Sequence, residues 1–86
     1  MSLADRFADA QARVKALPEA PDAGTLLELY ALYKQATTGN IEGKRPGFMD
    51  IKGRAKFDAW EAKKGLSKDG AMTAYADLVD RLTKGK

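Results

Sequence analysis

The sequence predicts an all-α protein, four helices packed as a small bundle. Three observations lead there. Four segments repeat apolar residues at steps of three and four. Capping residues, glycine or proline bracket these segments. No stretch alternates apolar and polar residues as a half-buried strand would. At 86 residues, the expectation is one domain, residues 1–86, with one modest core.

In helix one, Leu3, Phe7, Ala10, Val14 and Leu17 make a single apolar seam. Asp5, Arg6, Asp9, Gln11 and Arg13 lie outside it. Pro18 stops the helix because its ring clashes with the preceding turn. The linker that follows reads PEAPDAG. Lys15 sits near the helix end, where a cation complements the dipole.

Helix two begins between Asp22 and Thr25. Asp22 is a good N-cap, and Thr25 with Glu28 would make a capping box. Leu26, Leu29, Tyr30, Tyr33 and Ala36 form the inward stripe, widened by Leu27 and Leu32. Gly39 ends the helix in the left-handed cap position. Residues 40–50 then read as a loop, punctuated by Asn40, Gly43, Pro46 and Gly47. A loop of that length in a small helical protein is often functional.

Helix three runs from about Asp50 or Lys52 to Lys64. Ala55, Ala59 and Ala62 form one strip, and Phe57, Trp60 and Lys64 another face. Lys63, Lys64 and Gly65 place cations and a glycine at its end. Helix four starts after Ser67, with Asp69 in its first turn and Gly70 as a weak helix former. Its buried stripe is Met72, Tyr75, Ala76, Val79 and Leu82, and the polar tail TKGK frays.

Composition removes whole classes of function. The chain has no cysteine, so disulfides, thiolate nucleophiles and Cys-ligated metals are out. It has no histidine, the commonest general base and metal ligand. Catalysis, a metal site and a cofactor are therefore not expected. The N-terminus MSLADRFADA lacks the apolar core of a signal peptide, and no apolar run approaches membrane-spanning length. The default location is the cytoplasm, with no stable membrane insertion.

The net charge is +3, and it is uneven. Residues 30–64 hold eight basic and four acidic residues; the rest holds seven and eight. The positive charge is central, which suggests an anionic partner there. In the same region Tyr30, Tyr33 and Lys34 stand at i, i+3 and i+4, on one helical face. Two phenols and an ammonium suit a ligand with a flat aromatic part and an anionic part, although tyrosines lining a core edge beside a snorkelling lysine fit the pattern too. Lys52 and Lys56 are like-charged i, i+4 neighbours, unfavourable by a few tenths of a kcal/mol without an anion. Nucleic acid is a possible anion, but +3 is weak for it and acids interleave the bases. No nucleic-acid partner is expected.

The runs LYALYKQATTGN, RPG, DIKGRAKFDAW, KKG and AMTAY carry a resemblance. Together with Phe7, Ala10 and VKAL of helix one, they make the chain similar to the acyl-CoA-binding protein family over essentially its whole length. Departures are few: Gln11, Asn40, Glu42, Arg54, Phe57 and Gly70 differ from the residues usual there. The resemblance implies an up-down-down-up bundle that binds long-chain fatty acyl-CoA thioesters. It implies that Tyr30, Lys34 and Lys56 hold the 3′-phosphate, that Tyr33 stacks on adenine, and that Tyr75 contacts the pantetheine and acyl region. Lys15, Lys52, Ala31 and Leu32 match further ligand-contacting positions. It implies a monomeric carrier with transient contacts to membranes or to acyl-CoA-using enzymes. The chemistry is compatible: an aromatic ring stacks a purine, and ammonium groups make charge-assisted bonds to phosphate.

Overall fold

The computed structural model describes residues 1–84. Its elements are α1 (Leu3–Lys15), α2 (Ala23–Thr37), α3 (Ile51–Glu61) and α4 (Lys68–Lys84). Among the described residues there is no strand.

Each helix starts on a side chain that satisfies an otherwise unpaired amide. Ser2 Oγ accepts from the Asp5 amide, and Asp5 accepts from the Ser2 amide, completing a capping box on α1. Asp22 caps α2 by accepting from the Thr25 amide at 2.8 Å. The Thr25–Glu28 box does not form. Glu28 instead accepts from Lys63 Nζ at 2.5 Å, a partner 35 residues away. Asp50 caps α3, accepting from the Gly53 amide at 2.9 Å. Gly53 makes that cap possible: a Cβ there would lie 2.2 Å from an Asp50 carboxylate oxygen. Ser67 Oγ accepts from the Gly70 amide at 2.9 Å at the start of α4.

The helix ends differ from expectation in two places. α3 stops at Glu61, and Lys63 and Lys64 follow in a turn. Lys63 is therefore not a dipole partner; it ties the turn to α2 through Glu28. α4 continues through Thr83 and Lys84 instead of fraying there. The Thr83 hydroxyl accepts from Arg13 at 3.1 Å and donates to the Val79 carbonyl at 3.0 Å, anchoring the last turn. Gly85 and Lys86 lie outside the described residues. Gly39 has φ +96°, the left-handed cap expected of it.

The direction of each helix follows from which residues meet. Arg6 bonds Asp77 and Asp80, and Arg13 bonds Asp80 and Thr83, so α1 and α4 run parallel. The N-terminal half of α2 faces that of α3 around one groove, and Trp60 meets Gln35 near the far end, so α2 and α3 are parallel. Gln35, late in α2, meets Leu66, just before α4, so those two helices are antiparallel. The result is up-down-down-up. α4 packs against α1 and α2, and α3 packs against α2 alone.

The core lies between α1, α2 and α4. Phe7, Ala10, Leu29, Leu32, Ala36, Ala71, Tyr75, Ala76 and Val79 are its buried members. Phe7 sits edge-on to Tyr75 with centroids 5.1 Å apart, a favoured aromatic arrangement. α3 contributes no buried residue.

One polar cluster closes the end where α2, the loop and the α3–α4 turn meet. Gln35 is fully buried. Its amide nitrogen donates to the Leu66 carbonyl at 2.7 Å and to Asn40 Oδ1 at 2.8 Å. Its amide oxygen accepts from the Trp60 indole at 3.2 Å, and the indole also donates to the Gly39 carbonyl at 2.9 Å. Asn40 Oδ1 further accepts from the Gly65 amide at 2.9 Å. A buried amide with all its partners fixes the geometry around it.

Candidate functional site

α2 is apolar around more of its surface than α4 can cover. In its first two turns Leu26 remains 47% exposed, although its spacing placed it on the inward stripe. The uncovered side forms a groove with α3. This groove, about 290 Å³, is lined by Ala23, Leu26, Leu27, Tyr30, Ala55 and the stems of Lys52 and Lys56. Leu26 also borders a second hollow of about 370 Å³, between α1, α2 and α4. There Lys15 and Val14 come from α1, Leu29 from α2, and Tyr75 from α4. A third hollow, about 290 Å³, lies beyond Tyr30 and Lys56 and reaches Lys44, Phe57 and Trp60.

Tyr30 and Lys56 therefore stand between an apolar groove and a polar loop. Lys56 Nζ rests 5.3 Å from the Tyr30 ring centroid. Lys34 Nζ rests 5.1 Å from the Trp60 ring centroid. Both are cation–π distances. Trp60 is held by its two indole hydrogen bonds, so the seat of Lys34 is rigid. Each ammonium has a place to wait without a counter-ion, and neither helix has to move to present it.

Tyr33 points away from this pair. It is 40% exposed, with its ring 6.1 Å from Phe7, so it too departs from the inward stripe. Tyr75 is buried beneath it, and burial first, then Tyr33, pushes the Tyr75 phenol above its ordinary pKa. Tyr75 is neutral and reaches the second hollow from the core side.

Of the nine residues the sequence nominated, Tyr30, Lys52, Lys56, Lys15 and Tyr75 line these hollows, Lys34 adjoins the third through Trp60, and Tyr33 stands apart beside Phe7. Ala31 and Leu32 line none. Ala31 is fully buried and Leu32 is 3% exposed, so their side chains support the face from behind. Sequence reasoning missed Leu27 and Ala55 as lining and Gln35 as the brace behind Trp60. The lining had a signal: Leu26, Leu27, Leu29 and Tyr30 crowd one short stretch, more apolar surface than a single buried stripe needs. Gln35 had none, because two of its three partners, Trp60 and Leu66, lie 25 and 31 residues away. Among the described residues no cluster of acidic side chains is arranged to hold a metal.

A family described as Acyl CoA binding protein matches residues 4–79. The chain is 51% identical over 76 residues to acyl-CoA-binding protein homolog 1 of Caenorhabditis elegans, covering 88% of each chain. It is 49% identical over 83 residues to an acyl-CoA-binding protein homolog of Manduca sexta, covering 95% of this chain and 92% of the relative. Acyl-CoA-binding protein 2 of Oryza sativa superposes with a TM-score of 0.92 at 39% identity, over 98% of this chain and 93% of that one. The corresponding protein of Moniliophthora perniciosa superposes with a TM-score of 0.89 at 36% identity, over 99% and 83%.

Proposed function

The chain belongs to the acyl-CoA-binding protein family, whose members bind acyl-CoA and are not enzymes, and from that premise we propose that it sequesters long-chain acyl-CoA and serves as an intracellular carrier and pool former. The observation that carries this reading is the join at Tyr30 and Lys56. An apolar groove ends there against Lys56, seated on Tyr30, and the hollow beyond reaches Trp60, on which Lys34 is seated. A ligand with an apolar tail at one end and phosphates at the other fits such a junction.

In this reading Tyr30, Lys34 and Lys56 hold the 3′-phosphate, and Tyr33, half-exposed, stacks on adenine. Tyr75 and Lys15 meet the pantetheine and acyl region through the second hollow. Lys52 flanks the tail groove with its stem and leaves its ammonium to the phosphates. A single monomeric domain suffices, located in the cytoplasm, with transient contacts to membranes or to acyl-CoA-using enzymes.

Each buried methylene contributes about 0.8 kcal/mol, so a tail of about 16 carbons has up to about 12 kcal/mol to gain before ordering and association costs. Titration calorimetry with palmitoyl-CoA, free CoA and free palmitate tests the reading. Palmitoyl-CoA binds far tighter than either fragment if both ends are recognised. Equal affinity for free palmitate would remove the nucleotide half of the site.

A further inference from the structure

The hollow between α1, α2 and α4 has an apolar lining broken by two polar side chains. Val14, Leu17, Leu26 and Leu29 supply hydrocarbon, Lys15 a primary amine and Tyr75 a phenol. The fold engages neither polar group. Among the described residues Lys15 forms no ion pair, whereas Arg6, Arg13, Arg45 and Lys63 each hold a carboxylate. Tyr75 is 6% exposed, yet its hydroxyl has no hydrogen-bond partner among those residues. A buried phenol ordinarily finds one. This one stays protonated at neutral pH, because burial opposes its charged form.

The functional reading puts the junction of pantetheine and acyl chain in this hollow. That junction is a thioester, an activated acyl group, and a neutral amine is a nucleophile for it. We infer that Lys15 is a self-acylation site, at which bound acyl-CoA passes its acyl group to Lys15 Nζ while the Tyr75 hydroxyl polarises the thioester carbonyl. The inference rests on that reading and adds a covalent fate for the ligand it names.

The step balances without a further reactant. Lys15 gives its extra proton to water, and the Nζ lone pair attacks the carbonyl carbon. The carbonyl oxygen gains negative charge and accepts a hydrogen bond from the Tyr75 hydroxyl, which strengthens as that charge develops. The C–S bond breaks, and the sulfur leaves with its electron pair and takes the second proton that the nitrogen sheds. An amide on Lys15 and a free CoA thiol remain. Holding amine and thioester in one hollow makes the transfer unimolecular. It happens once per molecule, because the chain now anchored on α1 fills the hollow that received it. An acylated molecule is closed to the next ligand.

Peptide mass spectrometry tests it after incubation of the intact protein with saturating palmitoyl-CoA in mildly alkaline buffer. A single palmitoyl group that resists hydroxylamine, as an amide does, is expected on Lys15. It forms about tenfold or more faster than on Lys64 and Lys84, exposed lysines outside these hollows. Lys15→Arg keeps the charge and removes the acceptor, so the fast adduct disappears. Tyr75→Phe keeps the ring and slows the transfer about tenfold or more, read at saturation so that a change in affinity does not enter. Calorimetry on the same unaltered protein separates the two readings. Absence of palmitoyl-CoA binding would remove the functional reading, whereas binding with no preferred adduct at Lys15 would overturn the self-acylation. A fast adduct on Lys52 or Lys56 in its place would overturn it as well, since the thioester would then lie in the α2–α3 groove.

Discussion

Lys34 and Lys56 come from different helices, and each rests on an aromatic ring that the facing helix supplies. If both serve one phosphate, removing either leaves that phosphate short of a charge-assisted bond, a loss of about 1.5–3 kcal/mol in binding. The double variant then loses less than the sum, because the two share a partner. Calorimetry on Lys34→Ala, Lys56→Ala and the pair measures this, and strict additivity would separate the two lysines. Arg54 offers a second test. Its Nε is buried without a hydrogen-bond partner. A lysine has no donor at that point of its stem and lets its ammonium reach water. Arg54→Lys is expected to raise the unfolding free energy by about 1 kcal/mol in urea titrations. A clear loss would mean that the guanidinium packs more favourably than its orphan donor suggests.

At the scale of elements, α3 stands apart. It has no buried residue and packs on α2 alone, while α4 packs on two helices and holds much of the core. Few buried contacts mean a low local opening free energy. Hydrogen exchange should find α3 amides the least protected of the four helices and α4 among the most. Palmitoyl-CoA should slow exchange in α3 more than elsewhere, since a ligand bridging α2 and α3 supplies the contacts that α3 lacks. Protection of α3 equal to α4 without ligand would contradict this. The elements also divide what a reader of the sequence could find from what was hidden. Apolar steps such as Phe7–Ala10–Val14 and stops such as Gly39 are local, and they located all four helices. The i, i+3, i+4 grouping of Tyr30, Tyr33 and Lys34 was local too, and so was the charge around it. The destination of Glu28 was not, because Lys63 arrives only after α3 has folded back. The exposure of Leu26 and the burial of Gln35 likewise depend on which neighbour each side of α2 receives.

The whole molecule holds together by different means at different pH. Arg13, then Arg6, holds the Asp80 carboxyl below its ordinary pKa; Arg45 does the same for Asp58, and the Thr25 amide for Asp22. These groups have lower pKa values folded than unfolded. Their contribution is present above the unfolded value of about 3.9 and is lost as pH falls through the lower folded values. With no histidine in the chain, stability should be nearly flat between about pH 5 and 8. It should fall below about pH 4 and again above about pH 10, where unfolding frees the buried Tyr75 phenol to ionise. Urea midpoints across pH measure both limbs. Asp80→Asn should flatten the acid limb, because it removes the carboxylate that both arginines of α1 share.

The seat of Lys34 has an optical consequence. Trp60 is the only tryptophan in the chain, so the fluorescence of the entire molecule above the tyrosine band comes from one indole. That indole is orientationally fixed by Gly39 and Gln35, and a full positive charge lies 5.1 Å from its ring. Drawing the ammonium toward a phosphate changes the electric field across the chromophore without changing its hydrogen bonds. Emission wavelength thus reads the position of one lysine, and the protein carries its own unlabelled gauge of whether that lysine is engaged.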